Sequence, residues 1–141
     1  MHAPSGRRRC TIYSGHHALF VRSACPIRGG IFTKIYIACG YTDLRKQIDG
    51  LAAMVKEGFQ LDPFQNAFFL FCGRKRDRLK ALYWEGDGFL LLYKRLEGGT
   101  YQWPRSAREV QELTPQQYRW LLEGLTTEQK SAIPKVSAKY L

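Results

Sequence analysis

Apolar and polar positions alternate along this chain in blocks whose spacing predicts five strands and two helices. Phe68 to Cys72 is an unbroken apolar run, the pattern of a strand buried on both faces. Leu79 to Trp84 and Phe89 to Arg95 flank Glu85-Gly86-Asp87-Gly88. Glycine beside aspartate supplies the positive φ angles of a hairpin turn, and Gly88 is the position expected to reject a β-branched residue. Pairing Trp84 with Phe89 across that turn sets Lys80 near Tyr93 and Arg78 near Arg95. Upstream, Lys34 to Cys39 reads as a strand, and Gly40-Tyr41-Thr42-Asp43 breaks it. Thr42 is placed to cap a helix in which Leu44, Ile48, Leu51 and Val55 recur at helical spacing, ending at Gly58. Downstream, Gly98-Gly99 makes a turn and Tyr101-Gln102-Trp103 a short strand before Pro104, while Ser106 to Glu112 is polar and fits no pattern. Thr114-Pro115-Gln116-Gln117 opens the second helix with a threonine cap, proline at the first helical position and glutamine three residues after the cap. Its apolar stripe is Tyr118, Leu121, Leu122 and Leu125. The order β-α-β-β-β-β-α, joined largely by hairpins, predicts an α+β domain: a small, largely antiparallel sheet with helices packed on one face.

Composition sets the borders of that domain. Residues 1–30, with three consecutive arginines, Gly, Ser, Pro and a His16-His17 pair, show no sustained periodicity. They read as a disordered leader or an over-extended start, not as a signal peptide. Residues 31–125 form the single predicted domain, and residues 126–141, interrupted by Pro134, a flexible tail. An apolar fraction of 45% supports a core, and no run approaches the roughly 18 apolar residues of a membrane span. Cysteines stand at 10, 25, 39 and 72, without C-x-x-C spacing, and are expected as reduced thiols of a cytoplasmic protein.

Charge changes the picture more. The net charge of +10 points to a polyanionic partner, nucleic acid before membrane. Half of it lies in residues 1–32, which hold five arginines and no acid. Within the domain the densest cluster is the turn after Cys72, where Arg74, Lys75, Arg76, Arg78 and Lys80 surround a single Asp77. Lys94 and Arg95 close on it from the neighbouring strand, with Tyr83, Trp84, Phe89 and Tyr93 interleaved. Such a basic, aromatic sheet face suits phosphate contact and base stacking. The competing account is a solvated face whose edge lysines prevent aggregation. The four aromatics also suit a protein interface or the hairpin's own core. Arg45 and Lys46 are expected in the first turn of a helix, where cations are disfavoured unless an anion such as phosphate joins them. The alternative there is that Arg45 pairs with Asp49 one turn later.

Catalytic chemistry finds little support. No histidine follows His17, and the acids lie mostly at caps and turns. No phosphate-binding glycine loop, nucleophile elbow or zinc motif occurs. The expectation is therefore no catalytic residue, no metal and no cofactor.

The ordered motifs resemble those of a known family. They run through Lys34-Ile35-Tyr36-Ile37-Ala38, then Gly40-x-Thr42-Asp43-x-Arg45-Lys46-x-Ile48-Asp49-Gly50-Leu51, then Leu61-Asp62-Pro63-Phe64. They continue through Phe69-x-Phe71, Asp77-Arg78-x-Lys80-x-Leu82-Tyr83-Trp84-x-Gly86-Asp87-Gly88-Phe89, Tyr93-Lys94-Arg95-Leu96-Glu97 and Trp103-Pro104. From about Lys34 to Leu125 the chain is similar to the TnpB, or Orf2-like, accessory proteins of the insertion sequence 66 family. The resemblance implies a bacterial mobile element and a role assisting DNA transposition beside a separate DDE transposase and another element-encoded accessory protein. It supplies no established catalytic residues. Two functions follow as expectations: non-catalytic DNA binding at transposon ends, or a protein–protein adaptor that docks the transposase with little DNA contact. DNA sequence preference and oligomeric state have no signature in the sequence.

Overall fold

The computed structural model describes residues 34–106, 108–131 and 133–134. The predicted leader and the last residues of the predicted tail lie outside the described residues.

Strand β1 (Lys34–Ala38) leads through helix α1 (Ile48–Ala53) to strand β2 (Ala67–Cys72), and the two strands lie parallel. Only a crossover can return a chain to a parallel neighbour, and α1 provides it. Strands β3 (Arg78–Trp84) and β4 (Phe89–Arg95) then add as an antiparallel meander. Strand β5 (Val110–Leu113) returns to pair antiparallel with β1 on its other side, and helix α2 (Pro115–Leu122) follows. The sheet order is β4-β3-β2-β1-β5. The fold is thus α+β with a mostly antiparallel five-stranded sheet.

The apolar run of β2 is buried at every position, in the middle of the sheet. Its two alternating sets face two different layers. Phe68 and Leu70 join Ile35, Ile37, Leu79 and Ala81 beneath Tyr118, Leu121 and Leu122 of α2. Phe69 and Phe71 join Leu82 beneath Leu51 and Val55 of α1. The helices therefore divide between the two faces of the sheet instead of sharing one, as expected from sequence. The cause is in β2 and β3, which are apolar on both alternations, so each face needs its own cover.

Three further differences have local causes. The first helix begins at Ile48, not at Thr42. The Asp43 carboxylate accepts the backbone N–H of Arg45 at 3.0 Å, and the Asp43 carbonyl accepts that of Lys46 at 3.1 Å. This side-chain turn competes with helix formation, and residues 41–47 form a loop. After Ala53 the helix widens to a π-helical turn, Met54–Gly58, closed by Phe59 N–H donating to Met54 O at 3.0 Å. The fifth strand is Val110–Leu113, largely within the stretch that fits no pattern, and not Tyr101–Trp103. Tyr101 and Trp103 are nevertheless buried, and the Trp103 indole N–H donates to Ala38 O at 2.8 Å. Their alternation reflects two aromatic pegs on an irregular segment; β5 is polar because only Leu113 of its residues is buried.

The second helix follows its signals. Gln117 N–H donates to Thr114 Oγ1 at 3.1 Å, Thr114 N–H donates to Gln117 Oε1 at 2.9 Å, and Pro115 takes the first position. The Gln117 side-chain amide donates to Thr127 O, and Thr127 is buried, so the start of the predicted tail packs beside α2.

Candidate nucleic-acid interface

The hairpin register is the one expected: Trp84 opposes Phe89, Lys80 opposes Tyr93 and Arg78 opposes Arg95. The turn between β2 and β3 is folded tightly. Arg76 adopts φ 60°, in the left-handed region, and its N–H donates to Gly73 O at 3.0 Å. The Arg76 carbonyl accepts the N–H of Tyr101 at 2.7 Å, which ties the turn to the segment after β4. On its other flank Gly73 lies so close to Leu44 that a Cβ there would stand 3.2 Å from Leu44 Cδ1. Thr42 N–H donates to Cys72 O at 2.8 Å and Thr42 is buried. The loop after β1 is thereby fixed against the basic turn.

Between loop and turn opens a cleft of about 570 Å³. Arg45, Arg74, Lys75 and Arg78 line it, with Asp43 and Asp77, and Tyr41 and Tyr93 stand on its walls. Arg45 binds Asp43 through two contacts, Nε to Oδ1 at 3.0 Å and Nη2 to Oδ2 at 2.8 Å. That guanidinium holds the Asp43 carboxyl well below the usual carboxylate range. The expected alternative partner, Asp49, is not the one used, because Arg45 precedes the helix instead of lying in its first turn. Arg78 Nε lies 3.4 Å from Asp77 Oδ1. Arg74 and Lys75 are exposed, and among the described residues no carboxylate pairs with either. The Arg74 guanidinium sits 5.5 Å from the centre of the Tyr41 ring, and that of Arg105 4.7 Å. Both distances are within cation–π range.

Other predicted residues lie elsewhere. Lys80 is 6% exposed, and its ammonium donates to Lys46 O at 2.9 Å, so it holds the loop to the sheet and leaves the basic surface. Lys94 opposes Leu79, on the face that carries α2, and burial pushes its ammonium down. Arg95 turns to Glu97 at 3.0 Å, and Arg76 contributes its backbone to the turn. Neither they nor Lys46 line the cleft. Of the aromatics, Tyr83 is core, with its hydroxyl donating to Asn66 Oδ1 at 3.1 Å. Trp84 and Phe89 meet edge to face at 4.9 Å, and Phe64 packs on both. Tyr93 alone of the four reaches the cleft.

Tyr41 of the cleft, and Arg105, which meets the Tyr41 ring without lining the cleft, carry no signal in local periodicity. Tyr41 belongs to the Gly40–Asp43 break, where an aromatic with no strand or helix around it is a hint of exposure. Arg105 follows Trp103-Pro104, and its place depends on Gly40 N–H donating to Pro104 O at 3.0 Å, a contact between distant parts of the chain. Among the described residues no group of three or more His, Cys, Asp or Glu side chains is placed to hold a metal ion. No helix among them is long and apolar enough to cross a membrane.

Comparison with known proteins places this architecture. The chain is 35% identical over 92 residues to the uncharacterized protein y4hO of Sinorhizobium fredii, covering 65% of this chain and 80% of that protein. It is 32% identical over 100 residues to the uncharacterized protein y4jC of the same organism, covering 71% and 83% respectively. No solved structure matches. The family model described as IS66 Orf2 like protein matches residues 33–132, from the start of β1 to beyond α2. The chain belongs to the IS66 Orf2-like family of insertion-sequence proteins.

Proposed function

We propose that this protein is a non-catalytic accessory factor of insertion-sequence transposition that binds DNA through the cleft between the β1–α1 loop and the β2–β3 turn. In this role it works in the cytoplasm beside a separate transposase and another element-encoded protein. The observation that carries the reading is the pair of cations, Arg74 and Lys75, with no carboxylate partner among the described residues, on a turn held by four backbone hydrogen bonds, beside exposed tyrosine rings. Cations without a carboxylate partner keep their full attraction for phosphate, and a fixed turn loses little entropy on contact. Arg78 and Arg45, already ion-paired, add less.

An adaptor role is favoured by a different feature. Phe64 is 52% exposed and packs edge-on against Trp84 and at a tilt against Phe89 at the far end of the hairpin, an aromatic patch of the kind that anchors protein interfaces. Anisotropy titrations of the full chain against element-end duplex, unrelated duplex and purified transposase separate the two. The DNA reading expects both duplexes to bind, with affinity falling steeply as salt rises. Transposase binding with no DNA binding at low salt overturns it in favour of the adaptor.

A further inference from the structure

We infer that the cleft takes single-stranded nucleic acid, or a base swung out of a duplex, in preference to intact double helix. This rests on the DNA-binding reading above and adds the form of the ligand.

The first ground is shape. A protein reads a duplex by placing a protruding helix or two-stranded ribbon in a groove. Here the free cations line a concavity of about 570 Å³, in the size range of pockets that enclose one small ligand. A stiff duplex meets such a recess only at its rim, whereas a flexible single strand can follow it inward. The second ground is the wall chemistry. Tyr41 and Tyr93 are 39% and 44% exposed, and both border the recess. Exposed aromatic rings beside a cationic track are what unpaired bases stack on, independent of sequence. The third ground is the position of the guanidiniums. Arg74 from the β2–β3 turn and Arg105 from the segment after Trp103 converge on the one Tyr41 ring, at 5.5 and 4.7 Å. Planar guanidiniums held at a ring offer both stacking surface for a base and donors for its phosphate. The carboxylates of the recess, Asp43 and Asp77, are each engaged by a neighbouring arginine and leave room for an anion.

The test uses the full chain with a labelled oligo-dT strand and a duplex of equal length, at one salt concentration. The strand is expected to bind at least about tenfold tighter. Tyr41→Ala is expected to lower strand binding by about tenfold while leaving duplex binding within about twofold, and Tyr41→Phe, which keeps the ring, to stay near wild type. Irradiation of a strand carrying 5-iododeoxyuridine is expected to crosslink Tyr41 or Tyr93 in the wild-type protein, a readout independent of any variant's folding. Duplex binding equal to or tighter than strand binding, or crosslinks that map away from both tyrosines, overturns the inference and leaves DNA binding standing. Failure of both nucleic acids to bind overturns the inference together with the reading it rests on.

Discussion

Replacing Lys80 by methionine separates the structural account of the basic cluster from the one its sequence suggests. The side chain sits in the middle of β3, between Phe71 of β2 and Tyr93 of β4, and its ammonium reaches back to the Lys46 carbonyl at 2.9 Å. Methionine keeps the length and the buried stem but donates nothing. A hydrogen bond from a charged donor contributes about 1.5–3 kcal/mol, and its loss strands the carbonyl. Against that, a buried ammonium carries a desolvation cost that methionine does not, which offsets part of the loss. The net destabilisation expected for Lys80→Met is about 1–2 kcal/mol, a fall of about 4–16 °C in Tm for a domain of this size. Its DNA-binding salt slope is expected to stay at the wild-type value. Lys75→Met is the opposite case: exposed and without a carboxylate partner among the described residues, it is expected to change stability by less than about 0.5 kcal/mol and to lower the slope by about 0.7–0.9. Thermal melts and binding titrations over a salt series read both quantities. An unaltered melt for Lys80→Met combined with a lowered slope would refute the buried placement and return Lys80 to the DNA surface.

Gly86 adopts φ +100° whereas Gly88 does not enter the left-handed region, so Gly86→Val is expected to destabilise by about 1–2 kcal/mol and Gly88→Ala by less than about 0.5 kcal/mol in urea titrations. Thr114→Ala, which breaks the capping box of α2, is expected to cost about 1 kcal/mol and lower Tm by about 4–8 °C. Burial pushes the Cys72 thiol from its ordinary 9.0 up to about 12 and raises Tyr101 in the same direction. The Cys72 contribution is therefore full below about pH 9 and falls as pH rises toward about 12, because the unfolded chain gives up a proton that the native state keeps. Melts over that range are expected to show a shallower alkaline decline for Cys72→Ala; equal slopes would contradict the assignment.

Much of the fold is legible wherever one local rule decides the outcome. The β3–β4 register follows from a four-residue turn and strict alternation, and it places Trp84 on Phe89 as expected. The cap of α2 follows from Thr114, Pro115 and Gln117 alone. Legibility fails where distant residues compete. The sequence alone points to Gly88 as the strained turn position, yet the positive φ falls on Gly86, because a glycine-aspartate-glycine turn has two places to put it. Val110–Leu113 pairs with β1 across the whole domain, and nothing in its own polar residues announces this. The candidate site divides along the same line. Four of the nine predicted cations, Arg45, Arg74, Lys75 and Arg78, meet in the cleft. Alternation sends Lys94 to the other face, and the loop carbonyl of Lys46 draws Lys80 inward. Tyr41 enters the cleft, and Arg105 reaches the Tyr41 ring, through tertiary contacts that no window of sequence contains.

The place of β1 between β2 and β5 has a consequence for biosynthesis. Among the described residues the first strand to be made is an inner strand of the sheet, and its neighbour on the other side from β2 is made some seventy residues later, ending at Leu113. Until then β1 presents an open row of peptide groups, a template on which another chain can pair. A product truncated before Val110 is therefore expected to aggregate, because β1 keeps that edge unpaired, and closing the sheet waits on a contact of long sequence separation.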